Sequence, residues 1–268
     1  MLELVIATFN VHAGVDGWGR PFDVVAACKQ IDADVLFLQE NWMPDEGESI
    51  ASLVAAAGGY EVYEARLSDA LLFQPADRPT RRWGPSKLEH RDARPLWVSD
   101  EESLALMRRR RPASRASLGG WGLAMLSRVT TRGVETIELG RLSRDYPRLR
   151  AALMAEVEVD GCPLSVVGTH LAHFVHGSPI LLNALRQRLP ARNRPGVLVG
   201  DMNFWGPPVA LALPGWRRAV RTRTYPSWGA HSQIDHILVT RRLKVVSGGT
   251  LAVGRSDHLP LRARLAVA

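Results

Sequence analysis

Short apolar runs bounded by glycine, proline and turn residues dominate the chain, and only a few stretches carry a helical period. Residues 3–9, "ELVIATF", read as a first strand. Pro21 then starts a helix whose apolar positions Val24, Val25, Cys28 and Ile31 share one face. "DADVLFLQE" returns to a strand ending at Glu40, followed by an alanine-rich helix over 49–57 and a strand pair in "YEVYEA" and "ALLFQ". Residues 74–118 are irregular and rich in proline and arginine. Inside them "SDEESLALMRRRR" has a capping-box start, Ser99 with Glu102, and its arginines at 108–111 suit a solvated helix end. Beyond lie strands in "GLAMLSR", "ALMAEVEVD" and "LSVVGTHL". Ser178-Pro179 opens a helix to Leu189, which Pro190 stops, and strands follow in "GVLVGD", "QIDHILVT" and "LPLRARLAV". Strands outnumber helices, and strand pairs alternate with single helices. The pattern predicts large sheets packed face to face with helices outside.

The length of 268 residues permits a sizeable core, and neither an internal repeat nor a long linker divides it. Hydrophobic residues at 46% and charged residues at 23% are ordinary for a soluble protein, and no apolar stretch is long enough to span a bilayer. "MLELVIATFN" lacks the basic start of a signal peptide. Cys28 and Cys162 show no metal-type spacing, so a reducing compartment, the cytoplasm, is expected. Net charge is +7, which favours polyanionic partners such as nucleic acid or anionic lipid, although codon bias also enriches arginine.

Polar residues collect where these strands end. Asn10 closes the first, Glu40 the second, His170 the "VVGTH" strand and Asp201 the "GVLVGD" strand. Asp235 lies in "QIDHI", and Asp257-His258 precede the last strand in "SDHLPL". Singly, each has an ordinary explanation: a turn cap, an exposed strand end, a core histidine, a surface turn, a partner for arginine. Asp201 with Asn203 two places on could form an Asx turn, or could aim both side chains at one water or phosphate. Jointly they are harder to dismiss, because buried carboxylates are unfavourable unless paired or metal-bound. No cysteine neighbours a histidine to suggest zinc. The oxygen-rich set suits a hard cation, Mg²⁺ or Mn²⁺, and with two histidines it describes phosphate-ester hydrolysis.

The motifs "ATFNVHAG", "DVLFLQEN", "GLAMLSR", "GTHL", "GDMNFWG", "QIDHILV" and "SDHLPLRARL", in this order, resemble the endonuclease/exonuclease/phosphatase superfamily, the deoxyribonuclease I-like fold. They run from residue 7 to the C-terminus, so one domain over 1–268 is expected, with an insertion at 74–118. The resemblance implies an α/β (α+β) fold, a four-layer α/β/β/α sandwich with two central mixed sheets. It implies Glu40 as main metal ligand, with Asn10 and Asp257 as further or water-mediated ones. Asp201 would position and activate water, and Asn203 would steady it or the phosphate. His258, oriented by Asp235, would contact the phosphate, and His170 would donate to another phosphate oxygen. Which group is general base stays open.

The match to abasic-site repair members thins at Val11-His12, where those carry an aspartate, and at Asn41-Trp42, so a dedicated abasic endonuclease is not expected. Three functions remain: a Mg²⁺- or Mn²⁺-dependent phosphodiesterase or nuclease acting on DNA or RNA, a phosphatase or sphingomyelinase-like hydrolase of a small or lipid phosphate, and a non-catalytic binding module. The retained acids argue against the module, and the basic charge favours nucleic acid. A monomer is expected. Trp18, Trp42, Trp205 and Trp228 fall close to the site motifs, so an aromatic rim is expected, with Trp42 and Trp205 its substrate-binding members.

Overall fold

The computed structural model describes residues 3–17, 19–73, 96–97, 116–142 and 149–267. A seven-stranded sheet runs in the order β12 (Leu243–Thr250), β13 (Leu261–Val267), β1 (Glu3–Asn10), β2 (Val35–Pro44), β5 (Ala116–Ser127), β3 (Glu61–Phe73) and β4 (Leu96–Trp97). A six-stranded sheet runs β10 (Trp216–Arg218), β11 (Asp235–Thr240), β9 (Gly196–Asp201), β8 (Cys162–His170), β7 (Leu149–Val159) and β6 (Thr131–Arg141). Each sheet holds one parallel pair, β1 with β2 and β8 with β9, among antiparallel neighbours, so both are mixed.

Successive side chains of a strand face opposite sides, and here both sides are covered. From β1 and β2, Leu4, Ile6, Val35 and Phe37 enter the core between the sheets, where they meet Val166, Val199 and Ile237 of the facing sheet. Ala7, Phe9, Leu36 and Leu38 face the other way, onto α1 (Val24–Ile31) and α2 (Ile50–Gly58). Val167, Leu198 and Leu238 leave the six-stranded sheet toward α3 (Ser178–Arg186) and α4 (Gly206–Ala212). The result is the expected four-layer α/β/β/α sandwich. Gly168 shows how close the sheets come: a Cβ there would lie 1.9 Å from Cδ1 of Phe37.

Several boundaries differ from the sequence expectation. The first helix starts at Val24, not Pro21, because the Asp23 side chain accepts from the Ala26 amide and caps it. The expected pair "YEVYEA" and "ALLFQ" is one strand, β3, continuous through a register shift between Arg66 and Ser68. α3 stops at Arg186 rather than Leu189. β6, β10, β12 and α4 were not expected. The 99–111 helix, its arginine run, Trp18 and most of the 74–118 insertion lie outside the described residues, while 116–118 belong to β5.

Candidate active site

Strand register brings the polar ends together. His170 pairs with Asp201 across parallel β8 and β9, and Asp201 pairs with Asp235 across antiparallel β9 and β11. Three neighbouring strands therefore present one edge group each at the same sheet end. In the facing sheet, Asn10 lies beside Gln39 in parallel register, and the chain enters β13 at the same end through Asp257 and His258.

Glu40 needs more than register. In an unbroken strand it would face the helices, opposite Gln39. Instead it has φ 55° at a bulge against β5, between Gln39 and Asn41. A bulge re-aims the side chain, and here it brings Oε1 within 3.2 Å of Nδ2 of Asn10, which donates to it. The same Asn10 amide donates to Oδ2 of Asp201, also at 3.2 Å, and so bridges the two sheets. Asn10 is itself held by the His12 amide, which donates to Oδ1 at 3.0 Å, and by Oγ of Ser256, which donates to its carbonyl at 2.6 Å.

His258 is the hub of the second half. Its Nδ1 lies 2.9 and 3.1 Å from the Asp235 carboxylate oxygens, and its Nε2 lies 3.6 Å from Oδ2 of Asp201. Burial alone would lower the imidazolium, but Asp235 and Asp201 overcome this and hold it well above the ordinary histidine range. Burial pushes Asp201 up to about 7, opposed by His258 and assisted by Asp235. His170, 3.4 Å from Asp201, is driven well below its ordinary range by burial and the charges of Arg150 and His258. The site thus holds one cationic and one neutral histidine around an acid poised near neutrality.

Asp201 and Asn203 converge, but not by continued extension. β9 ends at Asp201, whose Oδ1 accepts from the Asn203 amide at 2.9 Å in an Asx turn. Asn203 sits at φ 47°, and its amide nitrogen donates to the Leu171 carbonyl at 3.1 Å and lies 3.3 Å from Nε2 of His170. The turn is therefore the means by which both residues reach one site. Such left-handed backbone in non-glycine residues collects at functional sites.

One atom asks for a cation. Oε2 of Glu40 is buried without a hydrogen-bond partner, and burial, with Asp257 nearby, raises the carboxyl above its usual range. The donor set of Glu40, the Asn10 amide oxygen and Asp257 is all oxygen, which fits Mg²⁺ or Mn²⁺. Asp201, Asp235 and His258 also place ligand-type atoms within 4.8 Å of one another. There, however, an imidazolium already balances the carboxylates, so the unbalanced charge lies at Glu40.

Two residues join the site that sequence reasoning did not place there. Nδ1 of His12 lies 3.7 Å from Asp257, and Ser256 ties Asn10 to the His258 amide, which donates to its hydroxyl. Both stood inside quoted motifs, His12 two residues after Asn10 and Ser256 directly before Asp257. Trp42 is a correction. The bulge at Glu40 shifts the alternation by one, so Trp42 turns into the core between the sheets, 6% exposed, and offers no rim surface. Trp205 is 50% exposed and rests on Phe174, ring centroids 5.0 Å apart.

The sequence profile of the Endonuclease/Exonuclease/phosphatase family matches residues 7–258. The chain belongs to this family. No curated protein matches it. Among solved structures, an endonuclease/exonuclease/phosphatase from Beutenbergia cavernae is 20% identical with a TM-score of 0.63, covering 100% of this chain and 72% of that one. A family protein from Bacteroides thetaiotaomicron is 12% identical at TM-score 0.66, covering 99% and 98%. D. rerio TDP2, complexed with single strand DNA product, is 15% identical at TM-score 0.61, covering 99% of each chain. At these identities the likeness establishes the fold. Family and site chemistry together make this endonuclease/exonuclease/phosphatase protein a phosphoester hydrolase. Among the described residues no helix is long and apolar enough to cross a membrane.

The neutral buried histidines carry a stability prediction. Burial lowers His236 from 6.5 to about 4, while its Nε2 donates to the Phe204 carbonyl. Between those values the unfolded chain binds the proton and the folded one does not. His236 therefore contributes stability that is complete above pH 6.5 and lost as pH falls toward 4, about 3 kcal/mol in all. His170 acts in the same sense. Urea unfolding followed from pH 7.5 downward should show this decline, and His236→Gln, which cannot titrate, should flatten it.

Proposed function

We propose that the protein is a divalent-metal-dependent phosphodiesterase acting on nucleic acid. The observation that carries this reading is the convergence of Glu40, Asn10 and Asp257 with Asp201, Asn203, His170, Asp235 and His258 at one end of both sheets. Glu40, with Asn10 and Asp257, would hold Mg²⁺ or Mn²⁺. The cation, when bound, neutralises phosphate oxygens and so favours attack by water. Asp201 orients the water and takes its proton, a task suited to a carboxyl pushed up to about 7. His258, kept cationic and aimed by Asp235, donates to the phosphate oxygen on which charge develops. Asn203 and neutral His170 hold the remaining oxygens.

Charge supports a polyanionic substrate. Between Asp160 and Asp235 the sole carboxylate is Asp201, against eight arginines. Two of these, Arg221 and Arg223, are exposed on the stretch leading to Thr224, whose hydroxyl accepts from the Asp235 amide. The bound strand in the TDP2 structure points the same way. A reducing, cytoplasmic setting and a monomeric state complete the reading.

The test is a hydrolysis panel with Mg²⁺ and Mn²⁺ over single- and double-stranded DNA, RNA, a bis-aryl phosphodiester, sphingomyelin and inositol phosphates. Nucleic acid and the aryl diester should be hydrolysed, and excess chelator should abolish both. Preferred turnover of sphingomyelin or an inositol phosphate would move the substrate class to lipid or small phosphates. Trp205 supplies a finer expectation, since stacking a base is worth about 1–3 kcal/mol. Trp205→Ala should raise KM for an oligonucleotide far more than for the aryl diester. Equal losses on both, with a lowered Tm, would show the ring to be structural.

A further inference from the structure

A cavity of about 320 Å³ opens beside the catalytic centre and is used by none of the chemistry above. Its walls include Asp16, Arg20, Trp228, Val253, Arg255 and Ser256, from the loops after β1 and before β11 and β13. Ser256 lines this cavity and is followed by Asp257 of the candidate active site. The Ser227 amide donates to the Asp257 carbonyl at 2.8 Å, and the Ser227 hydroxyl to the Ser256 carbonyl at 2.6 Å, so the wall is fixed.

Its contents fit one ligand chemistry. Trp228 is 42% exposed, yet its ring edge is seated on bare backbone: a Cβ at Gly17 would lie 2.4 Å from Cζ3 of Trp228 and 3.5 Å from Cβ of Asp257. Gly17 thus lies against both the ring and the residue proposed to hold the cation. Arg20 is pinned to Asp16, at 2.8 Å through Nε and 2.7 Å through Nη2, so its charge is largely balanced. Arg255 is exposed on the same wall and supplies the cationic contact. A planar ring face, a cation and a space the size of a small ligand match a nucleotide.

We propose that this cavity is a nucleotide subsite adjoining the scissile phosphate, with the base on Trp228 and the next phosphate at Arg255. The assignment rests on the nucleic-acid reading above. It adds to it because the Trp205–Phe174 platform leaves the six-stranded sheet, whereas the cavity opens largely among loops of the seven-stranded sheet. A strand then continues past the scissile phosphate in both directions, and cleavage is internal.

The experiment compares a short oligothymidylate, blocked at both ends, with the bis-aryl phosphodiester. For Trp228→Ala the ratio of kcat/KM on the oligomer to that on the diester should fall about tenfold, with Trp228→Phe recovering most of it. Gly17→Ala, which displaces the ring, should lower the same ratio. Arg255→Ala should reduce the slope of log kcat/KM against log salt by about one, a change that a structural role would not produce. The first products from wild-type enzyme should be internal fragments. If the wild type cleaves the oligomer and all three changes leave ratio and slope intact, the subsite is wrong and the proposed function stands. Blocked ends that prevent cleavage would overturn internal action. A wild type that hydrolyses the aryl diester but neither binds nor cleaves the oligomer would overturn the substrate class and the subsite together.

Discussion

Asp201→Asn is expected to lower kcat/KM on any phosphoester substrate by about 10²–10⁴-fold, the range a positioned general base contributes. The side chain keeps its shape and loses its charge. In the carboxylate Oδ1 accepts from the Asn203 N–H, while Oδ2 accepts from Asn10 at 3.2 Å and faces His258 at 3.6 Å. An amide offers one acceptor where the carboxylate offers two, so one of these donors loses its partner. Against that, the desolvation that pushes Asp201 up is relieved. The two effects oppose each other, and the variant should stay folded, with Tm within a few degrees of wild type. A variant keeping more than about half the activity would remove Asp201 from the chemistry.

The second large effect belongs to His258, and there rate and stability fall together. His258→Ala removes the cation between two carboxylates that are each 1% exposed and directly opposed across β9 and β11. Leaving a buried charge uncompensated is destabilising by about 3–5 kcal/mol. One of the two acids must then take up a proton, so the variant should lose stability as pH rises and both are driven to ionise. His258→Gln keeps an amide donor for Asp235 but not the charge, so it should lose less stability than His258→Ala. It should fold, yet lose about a hundredfold or more in kcat, as is usual when a donor to developing charge is removed. Since Asp201 and His258 act as a unit, the double variant Asp201→Asn with His258→Gln should be little worse than the poorer single one.

The candidate site was legible because each residue terminates an apolar run. Asn10, His170, Asp201 and Asp235 close or open strands whose alternation is plain in the sequence, and parallel or antiparallel register carries them to one edge without further help. What could not be read were departures from ideal strands. The bulge at Glu40 re-aims its carboxylate and, by the same shift, buries Trp42. The alternation that would have put Asn203 beside Asp201 stops at Asp201, and a left-handed turn does the work instead. β6 was missed because Gly133 and Gly140 interrupt it and two register shifts break its period. α4 was missed because Pro207-Pro208 at its start resemble a loop. His12 and Ser256 act through backbone and bridging hydrogen bonds, which depend on the folded geometry and leave no periodic trace.

The proposed joint action of a divalent cation at Glu40 and a charged acid at Asp201 on a phosphoester requires both the metal and the Glu40 charge. It is tested most directly by steady-state hydrolysis of the bis-aryl phosphodiester while Mg²⁺ is titrated from excess chelator upward, in wild type and in Glu40→Gln. Glu40→Gln keeps the size of the side chain and removes the charge that Oε2 presents. No turnover is expected in chelator, with saturable activation of the wild type and activation of Glu40→Gln only at much higher Mg²⁺, its Tm unlowered. Undiminished wild-type turnover in excess chelator, or the same Mg²⁺ dependence in both proteins, would contradict that joint action.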